Sequence, residues 1–161
     1  VPKFDYIQGR IFSFFNRETG THNFQSDKAI ESITSGGFFG KGIGEGVLKN
    51  RVPEAHTDYI ISVISEEFGV VAIMLILLLF LILIYMVFKK ISFETNDKIK
   101  LILIGSISLI LMQATIHIGV NIRLFPTTGM TLPFLSYGGS SIIGTSILAG
   151  IILNLTKRKI S

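Results

Sequence analysis

The sequence predicts an all-α, polytopic membrane protein, with three C-terminal transmembrane helices and a large extracytoplasmic loop. Three observations predict it. Gly69 to Phe88 is twenty residues without a charge, enough at about 1.5 Å per residue to cross a hydrocarbon core of about 30 Å. Two further apolar runs follow, at about 101–122 and 142–156. Lysines and arginines gather at the ends of these runs, at Lys89, Lys90, Lys98, Lys100, Lys157, Arg158 and Lys159, the pattern that sets membrane topology.

The totals agree. The chain has 161 residues, 48% of them hydrophobic, a mean hydropathy of +0.59 and a formal charge of +4. Residues 1–68 hold seven Lys/Arg against nine Asp/Glu, so the positive excess lies with the apolar runs. Nucleic-acid binding would call for a basic face interleaved with stacking aromatics, and that arrangement is absent. With no cysteine, disulfides and thiolate metal sites are excluded. The chain opens with Val rather than Met, and is expected to begin partway through a longer protein.

Taken in order, residues 1–66 form the loop with short helices, and 67–161 the transmembrane region. Residues 1–25 read as an amphipathic or loop segment, in which Arg10–Phe15 suits either a membrane surface or a short buried stretch. A short helix is expected from Ser26 to Ser35, capped by Ser26 and stopped at Gly36 and Gly37. Six glycines then fall within the eleven residues 36–46. Their spacing fits no nucleotide-binding fingerprint. They suit a loop needing positive φ or close backbone packing, or backbone N–H groups that hold a diphosphate with help from Lys41 and Lys49.

Pro53 to Gly69 places ionisable groups directly against the first apolar run. Thr57 is the expected N-cap, with Asp58 in the first turn where the helix dipole favours a carboxylate. From that start Asp58, Ser62, Ser65, Glu66 and Gly69 form one polar stripe. Such a stripe running toward lipid belongs against a bundle interior or a wet cavity. The second span carries Gln113, His117 and Asn121 on one face, as inter-helix hydrogen bonds or as cavity lining. His117 has no partner at metal-ligand spacing. Between the second and third spans, residues 124–141 hold two prolines and three glycines, which breaks any helix. Irregular backbone at membrane depth survives only inside protein or beside water, so a re-entrant or interfacial loop is expected. With Lys89–Lys100 and the C-terminal tail placed inside by their charge, Asp58 and this loop meet on the extracytoplasmic side.

Four stretches carry a resemblance: Ser35–Gly42, Pro53–Ile60, Glu66–Gly69 and Pro126–Ser141. In this order, across about 25–156, they resemble the C-terminal half of the SEDS family of shape, elongation, division and sporulation proteins, the FtsW/RodA group. The wording of Gly44–Lys49 and Pro53–His56 is more similar to the division-type than the elongation-type members. The resemblance implies a glycosyltransferase of the bacterial inner membrane that polymerises lipid II, an undecaprenyl diphosphate-linked substrate, into peptidoglycan glycan strands. It also implies a class B penicillin-binding protein transpeptidase as partner, and further N-terminal spans without which this segment alone is inactive. Asp58 falls on the family's essential aspartate. His117 departs from the Asn that relatives usually carry before Ile-Gly-Val.

Joining a sugar hydroxyl to an anomeric carbon calls for a base, and the departing diphosphate calls for positive charge or a divalent cation such as Mg or Mn. Asp58 is expected as base or as cation ligand. Lys41, Lys49, Arg51 and Arg123 are expected near the diphosphate, with His56, Ser136, Ser140 and Ser141 as further substrate contacts. Gly36, Gly37, Pro53, Gly69, Pro126, Gly129, Pro133, Gly138 and Gly139 are expected to shape the backbone. Glu66 and Glu67 read as a solvated interface or a structural ion pair. Two other classes fit the same pattern: a carrier or flippase for lipid-linked precursors, and a scaffold that anchors a transpeptidase.

Overall fold

The computed structural model describes residues 21–48, 52 and 55–157, and all regular structure among them is helical. We number the helices α1 (Thr21–Gly36), α2 (Ile60–Phe93), α3 (Asp97–Asn121) and α4 (Gly139–Thr156). The expectations for residues 1–20 and for Lys49, Arg51, Pro53, Arg158 and Lys159 lie outside the described residues.

α2, α3 and α4 are each long and apolar enough to cross a membrane. On α2 the large apolar side chains between Val70 and Phe88 mostly face outward, among them Met74, Leu78 and Leu81. Burial toward the other helices is confined to a narrow seam, where Val87 meets Leu103, Ile107, Ile110 and Ile152. An apolar exterior with so thin an interior suits a surface met by acyl chains or by further spans. Asn96 caps α3 by accepting from the Lys98 N–H at 3.0 Å.

Above the spans, α1 and the glycine-rich loop pack against the first turns of α2. Ala29, Leu48, Val52, Ala55, Tyr59, Val63 and Val120 form one core. α1 begins earlier than expected, at Thr21, so Ser26 lies inside it. Its hydroxyl sits 3.4 Å from the Tyr59 hydroxyl instead of capping a helix.

α2 is not the single rod that the sequence suggests. Gly69 has φ 76 and ψ −174, which interrupts the helix between a 60–68 segment and a 70–93 span. A break of this kind strands carbonyls before it and N–H groups after it. The glycine-rich loop supplies both. Lys41 and Gly42 donate their N–H groups to the Glu66 and Glu67 carbonyls at 2.9 and 3.1 Å, while Val70 and Val71 donate to the Gly37 and Phe38 carbonyls at 3.0 and 3.4 Å. The approach is so close that a Cβ on Gly36 would lie 2.0 Å from the Ser65 carbonyl oxygen, and one on Gly69 would lie 2.2 Å from that of Phe38.

Candidate functional site

Asp58 does not start a helix. Residues 55–59 form turns and α2 begins at Ile60, with Tyr59 at the cap position and no side-chain cap bond. The expected capping by Thr57 is therefore replaced, and the cause is Asn121. Its Oδ1 accepts from the Ser62 N–H at 3.3 Å and its Nδ2 donates to the Asp58 carbonyl at 2.9 Å. One carboxamide thus stands where the Ser62-to-Asp58 helical bond would be. Oδ1 also accepts from the Ser62 hydroxyl at 2.7 Å, and Nδ2 also donates to the His117 carbonyl at 2.9 Å. Ser62, Ser65, Glu66 and Gly69 of the expected stripe are all buried, but Asp58 lies off their helix.

The irregular 122–138 segment docks beneath this turn. Arg123 ends α3 in the left-handed region (φ 62). Its N–H donates to the Val120 carbonyl at 3.1 Å and that of Leu124 to the Gly119 carbonyl at 2.7 Å, a Schellman closure. Farther along, the Tyr137 N–H donates to the His56 carbonyl at 3.2 Å. Ser136 Oγ donates to the Thr57 carbonyl and accepts from the Leu132 N–H, both at 2.8 Å. Gly129, at φ 71, faces Asp58: a Cβ there would lie 3.8 Å from Asp58 Oδ2.

From α3 the polar face reaches into the same segment. Gln113 Nε2 donates to the Thr131 carbonyl at 2.9 Å and to Ser141 Oγ at 2.9 Å, and Thr131 Oγ1 donates to Ser141 Oγ at 2.6 Å. His117 Nδ1 lies 2.8 Å from the Met130 carbonyl. A carbonyl only accepts, so Nδ1 carries the proton and Nε2 is left as an acceptor. That Nε2 is buried with no partner among the described residues. Of the two readings of this face, hydrogen bonding across the bundle accounts for all three side chains. Gln113 serves the other reading as well, because it lines a cavity of about 660 Å³ with Gly129, Thr131, Gly138, Ser140 and Ser141.

The expected site residues separate into groups. Asp58, His56 and Ser136 come together at the turn, with Gly129 between that turn and the cavity that holds Ser140 and Ser141. Lys41 is elsewhere. Its ammonium bonds Glu66 Oε1 at 2.9 Å, in a separate hollow of about 190 Å³ walled by α1. The Leu48 N–H donates to Glu66 Oε2 at 3.0 Å. Glu66 is therefore a buried ion-pair partner. Arg123 pairs with Asp27 of α1. Ser136 is buried, and its hydroxyl bridges the Leu132 N–H and the Thr57 carbonyl. Gly139 differs too: it lies in α4 with nothing within 4 Å of a Cβ, so packing does not require glycine there. Pro133 is buried beside Leu132. Gly138 is extended, and a Cβ on it would come 3.2 Å from Thr131 Cγ2. Pro126 is half-buried at the start of the irregular segment.

Among the described residues no group of three or more His, Cys, Asp or Glu could hold a metal ion. Asp58 offers a carboxylate, not a closed set of protein ligands. Sequence reasoning gave Asn121 no role at Asp58, and its only signal was its place on the Gln113–His117 face.

Three apolar spans, joined by irregular backbone that walls a largely apolar cavity beside a carboxylate-bearing turn, define a multi-pass membrane protein. The family profile FtsW/RodA/SpoVE, described as cell cycle protein, matches residues 3–160, and the chain belongs to that family. It is 39% identical over 158 residues to the probable peptidoglycan glycosyltransferase FtsW of Caulobacter vibrioides (strain NA1000 / CB15N), covering 97% of this chain and 40% of that one. It is 38% identical over 160 residues to the probable peptidoglycan glycosyltransferase FtsW of Enterococcus hirae, covering 98% and 40%. Among solved structures it is similar to a chain from work on the structural coordination of polymerization and crosslinking by a peptidoglycan synthase complex. The TM-score is 0.71 at 26% identity, covering 97% of this chain and 43% of that one. The chain thus spans about two fifths of the length of the curated relatives it matches.

Proposed function

We propose that this chain is the C-terminal part of a peptidoglycan glycosyltransferase that polymerises lipid II on the outer face of the bacterial cytoplasmic membrane. The observation that carries the reading is Gly129, shared by the Asp58 turn and the cavity wall. A residue without a side chain leaves Asp58 one backbone strand away from a hollow with polar and apolar walls. The chemistry runs as one displacement. The sugar hydroxyl of one chain attacks the anomeric carbon of another, the bond to the polyprenyl diphosphate breaks, and Asp58 takes the hydroxyl proton. Ser140 and Ser141 face the cavity as sugar or phosphate contacts. Lys41 and Arg123 are held in ion pairs with Glu66 and Asp27, which leaves Lys49, Arg51 or a divalent cation carried in with the diphosphate to meet its charge. A class B penicillin-binding protein is the proposed partner, in keeping with the synthase complex that holds the similar solved chain.

The test uses full-length protein reconstituted with lipid II. Asp58→Asn and Asp58→Ala are expected to abolish glycan product while lipid II still binds. Near-normal polymerisation by both variants overturns the base assignment. Leaflet exchange without product would make the protein a carrier, and neither activity would leave it a scaffold.

A further inference from the structure

At the opposite end of the spans, a basic hollow opens directly onto an apolar groove. The hollow, about 440 Å³, is lined by Tyr85, Lys89, Lys90 and Phe93 of α2. The groove, about 270 Å³, runs along α2 from Leu79 to Val87 against α4, with Ile110 of α3 also lining it. Met86 and Thr156 line both, so the two are one continuous surface. Its polar end is not charge-balanced. Lys90 is bonded to Glu94 at 2.9 Å, but Lys89 has no carboxylate partner among the described residues, and its Nζ stands 6.0 Å from the Tyr85 ring centre. Lys157 adds another exposed cation one residue beyond Thr156.

Basic residues that only fix topology need no concavity and no adjoining apolar slot. Here a cationic, aromatic-edged hollow sits over a slot that runs along nine residues of helix, about 12 Å long. That is the layout of a phosphodiester headgroup above an acyl chain, with basic hollows between spanning helices favouring anionic lipid. We propose that this surface is a binding site for one anionic phospholipid, with its phosphate at Lys89 and an acyl chain along α2.

The test measures lipid retention by full-length protein purified in detergent, with dioleoylphosphatidylglycerol and dioleoylphosphatidylcholine counted by native mass spectrometry. Wild type is expected to retain the phosphatidylglycerol preferentially. Lys89→Gln is expected to lower that preference about fivefold, the effect of one lysine near an anionic headgroup. Lys89→Arg and Lys98→Gln, the latter removing a charge outside the hollow, should both keep it. Met86→Trp, which fills the junction, should reduce retention of both lipids. Equal retention of the two lipids by wild type overturns the proposal. So does an equal loss in Lys89→Gln and Lys98→Gln, which would mean diffuse charge. Full displacement of the lipid by excess inorganic phosphate also overturns it, in favour of a simple anion site.

Discussion

Two irregular segments are held against α2 by opposite means. The glycine-rich loop at 36–42 holds the break at Gly69 backbone to backbone, and each close approach depends on a missing side chain. The 122–138 segment is held largely by side chains: Gln113 and His117 of α3 meet its Thr131 and Met130 carbonyls, its own Ser136 bonds the Thr57 carbonyl, and Asn121 holds the facing turn at Asp58 and Ser62. The first arrangement has no room for added atoms at Gly36, Gly40 and Gly69, and the second has no tolerance for lost polar groups. A backbone clasp fixes where a helix breaks, whereas a side-chain lattice fixes how the Asp58 turn faces its cavity.

Substitutions separate the two. Gly69→Ala should have the largest effect, above about 4 kcal/mol, because the new Cβ meets backbone and φ is positive; denaturation of the full-length protein in micelles, followed by circular dichroism, would show it. A loss of only about 1–2 kcal/mol, what backbone strain alone gives, would mean the clasp is loose. Asn121→Leu comes next, at about 3 kcal/mol, since it strands the Ser62 N–H and two carbonyls in a buried place. Unlike the glycine variant, it should abolish polymerisation at temperatures where the protein is still folded. Ser136→Ala should cost about 1–2 kcal/mol by freeing the Thr57 carbonyl and Leu132 N–H, and it should slow turnover more than it weakens lipid II binding. Smallest is Gly37→Ala, at about 1 kcal/mol. Its φ is 59, but the space around it is open, so only backbone strain is added. If Gly37→Ala matched Gly69→Ala, the steric account of the clasp would be wrong.

Much of this was legible in the chain because membrane spans are local signals. The uncharged run after Gly69 and the basic residues beyond it locate α2 without any tertiary information. The glycine cluster likewise announces close packing or positive φ, and Gly37, Gly40, Gly42, Gly44 and Gly69 all have positive φ. What it packs against was not legible, because Gly37 and Val70 lie far apart in sequence. The start of α2 was misplaced for the same reason. Thr57 and Asp58 have good local credentials as a helix start, but a carboxamide from Asn121 takes the bond that would have extended the helix to them. Arg123 shows the limit from another side: glycine is usual where it stands, and nothing local announces an arginine in the left-handed region.

A rod that spans a bilayer tilts when the lipid is thinner or thicker than its apolar length. In this protein the rod ends at Gly69, and the segment above it is tethered sideways to the glycine-rich loop. The 36–42 loop bonds both sides of that joint, so a tilt of the span is passed through the clasp to the segment that follows the Asp58 turn. Turnover by the full-length protein across vesicles of graded acyl length should therefore change with bilayer thickness, and a level response would mean that the joint is loose.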